Sequence, residues 1–80
     1  MKATVTFDRL GRRGQGDPPI VVVEGPTADD PDVIAEAVYR VARKRLISRD
    51  VEAVVDLEAG RVTVYAGFQA AGTGTVTIEP

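Results

Sequence analysis

The sequence predicts an α+β fold in the order ββαβββ, with a single helix packed on one face of a mixed or antiparallel sheet. Three observations carry that expectation. Two β-like runs precede a strongly marked helix start at Asp30-Pro31, the segment that follows repeats its apolar residues at helical spacing, and three further alternating runs complete the chain.

The first run, Lys2 to Phe7, places Ala3, Val5 and Phe7 on one face and Lys2, Thr4 and Thr6 on the other. The second, Ile20 to Glu24, is almost all β-branched and stops at Gly25-Pro26. Between them, "GRRGQGDPP" (11–19) is expected to be a flexible Gly/Arg/Pro connection, the loop spanning 8–19 of a single small domain, 1–80. In the helix, Asp30 suits the N-cap, because its carboxylate accepts from otherwise unpaired backbone N–H groups, and Pro31 suits the first helical position, where no N–H is needed. Ile34, Ala35, Val38, Val41 and Ala42 share one broad side with Leu46 at its margin, while Glu36, Arg40, Arg43 and Lys44 take the other. Arg45 falls inside the apolar arc, so either its stem snorkels at the core edge or the helix ends before it. Val51, Ala53, Val55 and Leu57 then alternate with polar positions, as do Val62, Val64 and Ala66 with Arg61, Thr63 and Tyr65. Glu58-Ala59-Gly60 between these runs predicts a three-residue hairpin loop with Gly60 left-handed. A looser stretch, 67–74, leads to a last strand, Thr75 to Ile78.

Two hairpins flanking a central helix resemble the β-grasp domains in element order and length. The resemblance implies a mixed sheet with a central N-terminal strand. It does not carry sulfur-carrier or conjugation activity, since those members end in Gly-Gly and this chain ends Thr77-Ile78-Glu79-Pro80.

Composition narrows the chemistry. With 44% hydrophobic and 28% charged residues the chain looks like an ordinary globular protein, and no apolar run approaches the roughly 20 residues of a membrane span. The N-terminus reads as a strand instead of a signal peptide, which leads us to expect a cytoplasmic location. There is no cysteine and no histidine, which removes disulfides, thiolate ligands and imidazole-based acid–base or zinc chemistry. Ser48 is the single serine, with no histidine to activate it. No cofactor and no metal are expected, nor catalysis. The bias toward Ala, Val, Gly, Arg and Asp suggests a high-GC bacterium or one of its phages.

The net charge of −2 conceals bands. Residues 1–23 carry +2, 24–36 carry −5, 37–49 carry +5 and 50–58 carry −4. Such banding predicts a patchy surface field.

Four candidate sites follow. "GRRGQGDPP" has the spacing GxxGxG, the reverse of the dinucleotide fingerprint, and a strand follows it, so no helix N-terminus is available for a pyrophosphate. The basic residues Arg12 and Arg13 of the loop, with Arg40, Arg43 and Lys44 of the helix, are possible nucleic-acid contacts, although helix-dipole complementation accounts for the helical ones more simply. Asp29, Asp30, Asp32 and Glu36 are better explained by capping than by a cation. If the helix covers the side bearing Val5, Val22, Val55 and Val64, the opposite face displays Val21, Val23, Val54, Thr63 and Tyr65, a candidate protein interface, because monomers seldom leave a contiguous apolar patch uncovered. A free edge strand offers another route to a dimer. The function these observations favour is a small non-enzymatic protein–protein interaction module, self-associating as a homodimer, an accessory or phage protein that binds a host protein. The alternative is a nucleic-acid backbone binder using the arginines.

Overall fold

The computed structural model describes residues 1–11, 18–46 and 50–80. Its elements are β1 (Lys2–Leu10), β2 (Val21–Glu24), α1 (Pro31–Arg45), β3 (Val51–Asp56), β4 (Arg61–Ala66) and β5 (Gln69–Glu79). The strands form one sheet in the order β2-β1-β5-β4-β3 with every neighbouring pair antiparallel. The fold is therefore α+β with ββαβββ element order. The arrangement implied by the β-grasp resemblance is not what forms: β5 is central, β1 stands beside it, and the two run antiparallel. β3, β4 and β5 form a three-strand meander joined by short turns, and β5, its last strand, pairs antiparallel with β1. The helix connects the two edge strands. At 15 residues it is about 22 Å long and runs back along the strand direction, its last residue, Arg45, reaching the Leu10 end of β1.

The core lies between α1 and one sheet face. Ile34, Val38 and Ala42, four residues apart, point down onto Ala3, Val5, Phe7, Leu10, Val21, Val51, Val62, Val64 and Val76. Each large aliphatic residue buried there contributes roughly 1.5–3 kcal/mol. The helix begins as expected. Asp30 is the N-cap and accepts from the Asp32 N–H at 2.9 Å, with Pro31 next. At the other end the Leu46 N–H donates to the Ala42 carbonyl, and Arg45 closes the helix with its Nε donating to the Leu10 carbonyl at 2.9 Å. Its stem follows the core edge while its head ties the helix C-terminus to the end of β1.

Several local expectations change. β1 runs on through Leu10, so Asp8, Arg9 and Leu10 belong to the strand and not to the loop expected over 8–19; residues 12–17 of that loop lie outside the described residues. A bulge between Phe7 and Arg9 leaves Asp8 unpaired, which lets both Phe7 and Leu10 face the core despite their odd separation. The β3–β4 connection has four residues, 57–60, since Asp56 pairs with Arg61; Gly60 is left-handed, φ +67°. The stretch 67–74 is not loose. Ala66 pairs with Gln69 across a two-residue turn, and β5 extends over eleven residues. Gly67 has φ +66° and Phe68 does not have a positive φ, the pattern of a II′ turn.

The main correction concerns β2. Its register pairs Val21 with Val5 and Val23 with Ala3, so Val21 and Val23 face the helix, and Val22, paired with Thr4, faces outward. Val21 is 5% exposed and Val22 49%. A run of three valines has no alternation to reveal its face, and only the register with β1 decides it.

Candidate functional site

The outer sheet face is built from threonines. Thr4 pairs with Thr77, Thr6 with Thr75, and Thr63 with Thr73. With Val21 and Val23 turned inward, the apolar side chains left on this face are Val22 on β2, Val54 on β3 and Tyr65 on β4. Val22 and Val54 stand on opposite edges with three strands between them. The contiguous Val21, Val23, Val54, Thr63, Tyr65 patch therefore does not form. Val54, Thr63 and Tyr65 do share the outward face of adjacent strands.

A different surface takes shape where one flank of α1 adjoins β2. The Gly25 N–H donates to the Met1 carbonyl, which fixes the hydrogen-bonding parity of the β1–β2 ladder. Residues 21 and 23 direct their backbone groups to β1, while Val22 and Glu24 direct theirs to the open edge. Beside that edge lie two shallow, open depressions. One is lined by Val23, Asp32, Val33, Glu36, Ala37 and Arg40, the other by Pro19, Val41, Lys44 and Arg45, each about 400 Å³. The floor is apolar. The rim is acidic toward the helix start and basic toward its end, and Asp32, Glu36, Arg40 and Lys44 repeat every four residues along one exposed flank. Within the chain, Arg40 Nε pairs with Glu36 Oε1 at 3.2 Å, and Arg43 lies over the Tyr39 ring, 5.9 Å from its centroid, while also donating to its hydroxyl.

The topology also sorts charge by end. Leu10, Arg45, Pro19 and the Gly67-Phe68 turn lie at one end of the sheet, whereas Met1, Gly25, the helix start and the 57–60 turn lie at the other. Among the described residues the first end carries Arg9, Arg43, Lys44 and Arg45 against Asp8, Asp50 and Glu52, a small basic excess. The second carries Glu24, Asp29, Asp30, Asp32, Asp56, Glu58 and Glu79 against Lys2 and Arg61. The bands of the sequence thus become a molecule with a basic and an acidic end. Arg12 and Arg13 lie outside the described residues; Gly11, which precedes them, is at the basic end, its N–H donating to the Ala71 carbonyl.

At that same end Phe68 is fully exposed at the tip of the β4–β5 turn. In the sequence Phe68 is one of only four aromatics, too few to suggest a stacking surface, and the glycine before it was the legible sign of a tight turn. Among the described residues no group of three acidic side chains converges as a metal site, and no helix is long and apolar enough to cross a membrane.

No family model matches the chain, and neither a curated protein nor a solved structure matches it.

Proposed function

We propose that the protein is a small non-enzymatic interaction module that works as a homodimer, joined along the β2 edge and the adjoining flank of α1. The observation that carries this reading is the self-complementarity of that flank. Against a second, antiparallel copy, the order Asp32, Glu36, Arg40, Lys44 sets Asp32 opposite Lys44 and Glu36 opposite Arg40, about an axis level with residue 38. The open β2 edge has the same centre. Val23 adjoins residues 32–40 and Pro19 residues 41–45, and interpolating between the two sets Val22 near the level of residue 38. Val22 is also a residue whose N–H and C=O face outward, so one twofold axis allows a Val22-to-Val22 backbone pair and both sets of helix pairs together. Antiparallel pairing lays each basic end beside an acidic end, which adds a favourable long-range term.

Val22→Pro tests the reading directly. That residue's N–H makes no bond to β1, so proline removes only the outward donor. Sedimentation of the unaltered protein is expected to give a monomer–dimer equilibrium at micromolar concentration that weakens as salt rises, because exposed charges are screened beyond about 8–10 Å at physiological ionic strength. Val22→Pro is expected to give a folded monomer throughout. A wild-type monomer at low salt, or a dimer indifferent to the proline, overturns the assignment.

A further inference from the structure

We infer that the surface where the outer sheet face meets the β4–β5 turn, formed by Arg9, Tyr65 and Phe68, binds a single strand of nucleic acid. Phe68 is held at the tip by the II′ turn, with its ring wholly in solvent. Tyr65 stands one ladder position below the turn, paired across from Ala70. Arg9 reaches that same residue, its Nη2 donating to the Ala70 carbonyl at 3.2 Å. Tyr65 and the Arg9 guanidinium thus meet at the Ala70 position, with Phe68 two residues before Ala70 at the turn tip, and the planar guanidinium fork has further N–H donors to offer. The next row presents the hydroxyls of Thr63 and Thr73.

Each component matches a part of a nucleotide strand. Unstacked bases lie on aromatic faces regardless of sequence, a guanidinium takes the phosphate between them, and hydroxyls bond sugars or base edges. Carboxylates set the limits of the site: Glu52 pairs across from Tyr65, and Asp8 sits in the bulge beside Arg9. A duplex, with two dense phosphate rows and no free base faces, meets those carboxylates and gains nothing from the rings. A single strand on Arg9, Tyr65 and Phe68 has one phosphate row to place among Asp8, Glu52 and Asp50, the last beside the turn, where a duplex has two. This site lies on the sheet face away from the helix, so it is independent of the proposed dimer flank.

Fluorescence anisotropy with a short labelled oligonucleotide of mixed sequence, as DNA and as RNA, tests the assignment. A duplex of the same sequence and phosphatidylserine vesicles serve as comparators. The expected result is single-strand binding that outcompetes both, with a log–log salt slope of about −0.7 per phosphate neutralised. Phe68→Ala and Tyr65→Ala should each weaken binding by about fivefold or more. Arg9→Gln should flatten the salt slope. Phe68 touches no core residue, so its variant keeps the fold, which circular dichroism checks. No salt-dependent binding of the single strand, binding undiminished by Phe68→Ala, or tighter binding of duplex or vesicles would overturn the proposal.

Discussion

Gly72 and Gly74 occupy the centre of β5 for a steric reason. A Cβ on Gly74 would come within 2.6 Å of the Thr6 carbonyl oxygen, and one on Gly72 within 2.6 Å of that of Arg9, while Phe7 and Leu10 lean over the same positions. Both glycines lie on the β1–β5 ladder on either side of the bulge at Asp8. Gly67 differs: space around it is open, and only its φ of +66° disfavours a side chain. Gly74→Ala is expected to destabilise by about 1–3 kcal/mol through overpacking. Gly67→Ala should cost about 1–2 kcal/mol through the left-handed backbone alone. Urea unfolding midpoints of the two variants measure this, and an unaffected Gly74→Ala would remove the steric account. These glycines are also why β5 was only partly legible. Ala70, Ala71, Gly72 and Gly74 show no apolar alternation, and glycine is a poor strand former in isolation, so the tertiary contact with Phe7 and Leu10 has to supply what the local sequence lacks.

Among the elements, α1 was the most legible. Its cap, its proline, its buried stripe and its charge order are all local, and local signals are what a sequence displays. Asp30→Ala should lower stability by about 1 kcal/mol, read from thermal or urea unfolding, because the Asp32 N–H loses its acceptor. An unchanged midpoint would mean that another group caps the helix. β2 is the opposite case. Val21, Val22 and Val23 are equally apolar, so which of them faces the core depends on a pairing with β1 that sequence periodicity cannot express. The candidate interface drawn from Val21 and Val23 failed for that reason, while Val54, Thr63 and Tyr65, from strands with clear alternation, were placed outward correctly. The exposed aromatic at Phe68 became meaningful only once the turn around it was seen to be tight.

At the scale of the molecule, antiparallel topology converts charge bands into polarity along the strand axis. The helix runs from the acidic end to the basic end, so its intrinsic dipole is matched by its own side chains, and the same order makes its exposed flank complementary to an antiparallel copy. The banding was visible in the sequence, but its spatial consequence required the strand order. Substitutions at Glu36 and Arg40 test the dimer most directly. Sedimentation equilibrium of Glu36→Arg, of Arg40→Glu and of the double variant forms a closed cycle. The account predicts that each single change sets like charges against each other across the twofold axis and shifts the equilibrium to monomer, while the double change restores the dimer. Singles that dimerise as well as the unaltered protein, or a double variant that stays monomeric, would contradict it.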